Sequence, residues 1–191
     1  MERATPQTDS NSPRFDRTSA AILDAAARVF ADEGASANLA TVATAAGVSR
    51  ATLYRYYKSR EVLLQALVRD AIDEAARRLA DAGLERAPVE DAIERILRAF
   101  VTVGDRYAVL VSDLPWYEKA DKSQLQTPVR AVLTRGIESG VLRNDLPADV
   151  LNELLGGAAL SAIKLTQHHN LGQEEASAAA ASLFLDGARP R

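Results

Sequence analysis

Apolar residues recur in this chain at three- and four-residue spacing almost from end to end, and this period limits the fold more than any other feature. Each such stretch lays one apolar stripe along a helix. Alternating β-branched and aromatic runs, the mark of strands, are absent, while alanine and leucine dominate. The pattern predicts an all-α fold of nine helices. The first covers about Arg14–Glu33. Ser12-Pro13 supplies a cap and a first-turn proline, although Asp16 is an equally good cap. Ile22, Ala26, Val29 and Phe30 point inward, and Gly34 stops the helix.

Asn38 caps a short second helix, Leu39–Ala46, with Leu39, Val42, Ala43 and Ala46 inward. Gly47 is placed for a turn that needs positive φ. Ser49 caps a third helix ending at Tyr56 or Tyr57, and Ser59 caps a long fourth one ended by Gly83. Glu61 in its first turn favours the dipole, and Val62, Leu63, Leu67, Ala71, Ala75 and Leu79 make its apolar face. Pro88–Val103 and a shorter piece, Asp105–Ser112, follow before Pro115-Trp116 breaks the pattern. The remaining helices start at Thr127-Pro128, stopping at Gly140, and then cover Asp149–His169 and Glu174–Asp186.

Several function classes are excluded at this level. The chain of 191 residues has no cysteine, so it holds no disulfide, thiolate metal site or cysteine nucleophile. His168 and His169 are adjacent and point apart on a helix, so they are no metal pair. No nucleophile elbow, P-loop or dinucleotide fingerprint occurs, and Glu174-Glu175 are explained by a helix N-terminus. We expect no enzyme activity, no metal and no cofactor. The polar start "MERATPQTDSNSP" is no secretory signal, and residues 1–13 are expected to be a disordered tail. No run of about 18 apolar residues occurs, so no membrane partner is expected, and with no cysteine a cytoplasmic location is expected.

Charge is unevenly spread. Residues 1–69 hold 9 Lys/Arg against 7 Asp/Glu, and the remainder holds 14 against 19, for a net charge of −3. The stretch "GVSRATLYRYYKSR" (residues 47–60) has four cations, no carboxylate and three of the five tyrosines. Two short helices around a glycine turn form a helix-turn-helix, whose second helix enters the major groove by its N-terminal residues. Arg50, Ala51 and Thr52 occupy that first turn, while Leu53 continues the inward set. Ala51 lets the helix approach closely. Arg50 and Arg55 can donate in bidentate fashion to guanine, and Thr52 can meet a thymine methyl or a phosphate. Tyr54, Tyr56 and Lys58 face phosphates, and Ser59-Arg60 adds backbone N–H groups and a cation at another helix N-terminus. Tyr57 fits packing beneath the helix. The constellation points to double-stranded DNA as a partner.

These residues resemble those of the TetR/AcrR-type transcriptional regulators. "ILDAAARVFADEG" and "TVATAAGVSRATLYRYYKSREVLL" are similar to that family's first helix and reading unit, over about residues 14–68. Tyr57 stands where the family usually has Phe, Lys58 where Pro is frequent, and Arg60 where Lys is usual. The resemblance implies backbone contacts for Ala40, Thr41, Tyr54, Tyr56 and Arg60, and base readout or close approach for Arg50, Ala51, Thr52 and Arg55. It implies a nine-helix homodimer divided into a helix-turn-helix domain, 14–60, and a ligand-binding and dimerisation domain, 61–191.

From the residues alone, the last two helices suit an intramolecular core as well as a dimer interface. Leu151, Leu154, Leu155, Ala158, Ala159 and Ala162 flank Gly156-Gly157, and Ala176, Ala179, Ala180, Leu183 and Phe184 follow. The resemblance favours the interface, and with it a palindromic operator. It also places Phe100, Tyr107, Leu110, Trp116, Tyr117, Leu125 and Val129 around an effector cavity. Asp113, Gln124 and His168 carry no special signal there. The expected function is a ligand-responsive repressor. The alternative is an architectural DNA binder or adaptor without ligand gating.

Overall fold

The computed structural model describes residues 13–34, 36–104, 120–168 and 171–190. Among these residues the chain is all-helical: α1 Pro13–Glu33, α2 Leu39–Ala45, α3 Arg50–Tyr56, α4 Arg60–Asp81, α5 Val89–Val103, α6 Ser123–Glu138, α7 Ala148–His168 and α8 Gln173–Ala188. The short helix expected over Asp105–Ser112 lies outside the described residues, as do Asp113, Pro115 and Trp116.

The buried side chains fall into two clusters. The smaller is built by Ile22, Ala26, Val29 and Phe30 of α1, Val42 and Ala43 of α2, Leu53 of α3, Tyr57, and Leu63, Leu64 and Leu67 of α4. The larger begins at Val68 of the same helix and takes in α5 to α8. Helix α5 packs against α4, α6, α7 and α8. Nine of its 15 residues are buried, so it is a central post and not a half-wet surface helix.

Two expectations change. Val62, expected on the inner face of α4, is 42% exposed. The helical period instead turns Leu63, Leu64, Leu67, Val68, Ala71 and Ile72 inward, a broader stripe that serves two cores. Helix α6 begins four residues before the expected Thr127 and runs through Pro128. A proline inside a helix removes the bond to the carbonyl four residues back and costs about 3 kcal/mol. Burial of Leu125 and Val129 on either side offsets it. The start is fixed by Asp121, whose Oδ1 accepts from the Ser123 N–H at 2.9 Å. Those bonds to Ser123 hold the Asp121 carboxyl below its ordinary range.

Gly136 is the tightest approach in the larger core. A Cβ there would sit 2.6 Å from Cδ1 of Leu142 and 2.9 Å from Cγ1 of Val89. The Gly136 carbonyl also accepts from the N–H groups of Val141 and Leu142 at 3.0 and 2.9 Å, which folds the chain back over it. Gly136→Ala should therefore destabilise by about 1–2 kcal/mol, although alanine is the better helix former by about 1 kcal/mol. Urea unfolding checks this; an unchanged midpoint would mean that Leu142 moves aside freely.

Candidate nucleic-acid interface and effector cleft

The reading unit is built from two capped short helices. Asn38 accepts from the Ala40 N–H at 2.8 Å and starts α2. Gly47 takes φ +66°, a conformation that favours glycine, and turns the chain toward α3. Ser49 Oγ accepts from the Thr52 N–H at 3.1 Å and starts α3. Leu53 is fully buried and presses this one-sided helix onto α1 and α2.

Arg50, Ala51, Tyr54, Arg55 and Lys58 are exposed, and Thr52 and Tyr56 are half-buried. Tyr54 is 43% exposed, a large apolar ring left in water. Among the described residues Arg50, Arg55 and Lys58 form no ion pair. The Arg55 guanidinium lies 5.5 Å from the centroid of the Tyr56 ring. Ala40 and Thr41 are half-buried in the first turn of α2. The Thr52 hydroxyl lies 2.9 Å from Ser49 Oγ, so its hydrogen-bonding capacity is shared with the cap.

At the corner between α3 and α4 Tyr57 packs inward as expected, whereas Arg60 departs from expectation. Tyr57 is buried, and its hydroxyl is hydrogen-bonded to Ser19 Oγ of α1 at 2.7 Å. Burial holds this phenol above its ordinary range, against the Ser19 bond, and the Asp70 charge adds to the rise. Arg60, expected to face phosphate, is turned inward. Its Nη1 donates to the Ala37 carbonyl at 2.6 Å, its guanidinium lies over the Phe30 ring, and its Nη2 is enclosed without a partner.

The first turn of α4 was expected to clamp a phosphate, but it is partly satisfied from within. Ser59 Oγ accepts from the Val62 N–H at 3.3 Å. Glu61 accepts from its own N–H and from Ser59, which holds its carboxyl below the ordinary range. Sequence reasoning placed Ser59 and Glu61 at this helix start, but not the Ala37 carbonyl that takes the Arg60 side chain.

Three of the expected effector residues, Phe100, Leu125 and Val129, are brought together. They are buried and line a cleft of about 110 Å³ with Lys122, Gln126, Asn152, Glu153, Leu155 and Gly156. Tyr107, Leu110, Trp116 and Tyr117 lie outside the described residues, and nothing is described of the His168 side chain. A larger cleft of about 500 Å³ lies between α4 and the start of α6, with Gln65, Val68, Arg69, Ile72, Asp73, Ala120, Asp121 and Gln124 in its wall. Apart from Gln124, these residues were not singled out by sequence. Their polar members read as ordinary solvent-facing positions of amphipathic helices. Among the described residues no helix is long and apolar enough to cross a membrane.

Comparison with known proteins places this arrangement among its relatives. The family model "Bacterial regulatory proteins, tetR family" matches residues 22–67. The HTH-type transcriptional repressor LfrR of Mycolicibacterium smegmatis is 43% identical over 94 residues, an alignment that spans only 47% of each chain. The HTH-type transcriptional regulator BetI of Rhizobium meliloti is 31% identical over 149 residues, 73% of this chain and 71% of BetI. The TetR transcriptional regulator SCO0520 of Streptomyces coelicolor, a solved structure, is 30% identical with a TM-score of 0.59, covering 90% of this chain and 98% of its own. LfrR crystallised with proflavine has the same fold, with a TM-score of 0.74 at 24% identity over 90% and 96% of the two chains.

Tyr57 yields a direct check on how α3 is held. Tyr57→Phe keeps the ring but removes the bond to Ser19, and should cost about 1 kcal/mol. A thermal melt unchanged from wild type would show that the hydroxyl holds nothing.

Proposed function

The chain belongs to the TetR family of bacterial regulatory proteins, and from that premise we propose that it is a homodimeric, DNA-binding transcriptional repressor. It reads a palindromic operator and leaves it when a small molecule binds. One observation carries the DNA reading. Arg50, Tyr54, Arg55 and Lys58 stand exposed on and beside a helix fixed from below by Leu53, and no carboxylate pairs with the cations among the described residues. On a chain of net charge −3, such a face suits a polyanion. Arg50 and Arg55 read bases, with Ala51 and Thr52 at close approach. Ala40, Thr41, Tyr54, Tyr56 and Lys58 hold the backbone. Residues 14–60 act as the reading domain, and residues 61–191 bind the effector and the second copy. A regulator of this kind works in the cytoplasm.

Dimerisation through α7 and α8 is supported by their outer surface. Val150, Leu154 and Leu183 are 41%, 54% and 76% exposed, and an apolar groove of about 380 Å³ runs between the two helices. A Cβ on Gly156 or Gly157 would meet nothing within 4 Å, so packing within the chain gives no reason for either glycine. Two copies packed as a four-helix bundle would cover this surface. The effector reading rests on the two clefts that border α6. The larger, at about 500 Å³, is of the size that small ligands occupy. The relative LfrR has been crystallised with proflavine, which supports a ligand in this fold without naming one for this chain.

Selection of bound duplexes from a random DNA pool, repeated with candidate metabolites, tests the reading as a whole. Two half-sites separated by about one helical turn or more are expected. A pool with no enriched sequence would sink it. Arg50→Ala should cost about 1–3 kcal/mol on the selected operator and relax preference at one base pair. Fluorescence anisotropy on base-substituted duplexes reads this, and an equal loss on every sequence contradicts a base contact. Leu183→Glu should leave helical content unchanged and yield monomers by sedimentation, with operator affinity down on the order of 100-fold. A dimer that survives this change places the interface elsewhere.

A further inference from the structure

Arg60 begins α4, where the aligned N–H groups make the helix end electropositive. A cation is disfavoured there unless its surroundings hold it. Here they do. Nη1 donates to the Ala37 carbonyl at 2.6 Å, the guanidinium carbon lies 5.2 Å from the centroid of the Phe30 ring, and Nη2 is shut away from water. These contacts belong to two other elements. Phe30 is a buried residue of α1, and Ala37 immediately precedes Asn38, the cap of α2. One side chain thus ties the first turn of α4 to the end of α1 and to the start of the reading unit. The neighbouring N–H groups are also engaged internally, by Ser59 and Glu61.

We propose that Arg60 is a positioning residue: it fixes the angle between α4 and the reading unit, so that α2 and α3 move with α4 as one body, and it does not grip phosphate. The role rests on the proposed binding of DNA by α3. It needs arginine in particular. A planar fork can donate to Ala37 while its face rests on Phe30, whereas a lysine ammonium can make only the point contact. A change in the tilt of α4 then carries α3, and with it Arg50 and Arg55, through the Arg60 contacts across the Tyr57–Ser59 turn.

Salt dependence separates positioning from phosphate contact. Operator and scrambled duplexes are titrated by anisotropy with the full-length chain, wild type, Arg60→Gln, Arg60→Lys and Lys58→Gln, across a salt series. Removing one phosphate-binding cation lowers the slope of log affinity on log salt by about 0.9. Arg60→Gln and Arg60→Lys should leave that slope unchanged, yet reduce discrimination between operator and scrambled DNA roughly tenfold, because the base-reading side chains are misplaced. Lys58→Gln should lower the slope and weaken both duplexes alike. A slope lowered by Arg60→Gln and restored by Arg60→Lys would overturn the proposal in favour of a phosphate contact. If Arg60→Gln does not fold, Arg60→Lys decides alone: full discrimination in that variant overturns the proposal, and reduced discrimination at an unchanged slope supports it. If wild type prefers no duplex over another, the DNA reading fails and the role of Arg60 falls with it.

Discussion

Leu67 and Val68 are consecutive residues of α4, yet they belong to different hydrophobic cores. That sharing organises the molecule. Upstream, Leu63, Leu64 and Leu67 close the small core beneath α1 to α3; downstream, Val68, Ala71, Ile72, Ala75 and Leu79 pack into the core around α5. A helix is stiff over such a length because its backbone bonds run unbroken. The two cores are therefore joined by a rod, and neither can rotate about it without disrupting its own packing. The larger cleft lies along the Gln65–Asp73 stretch of that rod, and the cationic face lies beside its first turn.

The upper end shows how little hydrophobic area holds a reading helix in place. Helix α3 is seven residues long, too short to persist alone in water, and only Leu53 of it is buried. Caps and tethers do the rest. Ser49 closes its start, and the Tyr57 hydroxyl fastens its far end to Ser19. With only one side anchored, the other is free to carry Arg50, Tyr54 and Arg55 into contact with something outside the chain.

Much of this was legible in the sequence because it depends on period and on local caps. The helices α2 and α3, the caps Asn38, Ser49 and Ser59, positive φ at Gly47, the buried Leu53 and the inward Tyr57 all follow from residues within a few positions of each other. Sequence reasoning failed where the deciding partner was distant or where two local signals competed. Arg60 looked like a free cation because Ala37, 23 residues away, was not visible as its acceptor. Pro128 looked like a helix start because proline usually is one, and the Asp121 bond to Ser123 outweighed it. The polar cleft residues Gln65, Arg69 and Asp73 carry no local sign at all, since a helix surface reads the same whether it faces a cleft or open water.

The charge distribution has a consequence for time as well as for place. The cations of α3 sit on a chain whose residues beyond 69 hold 19 carboxylates against 14 cations. A polyanion pushes that acidic body away while it pulls on the cationic tip, and the opposed forces exert a torque before any contact forms. Diffusing molecules therefore turn tip-first within about a Debye length, roughly 10 Å at 0.1 M salt. Orientation is settled in solution, and fewer encounters are wasted on the wrong face.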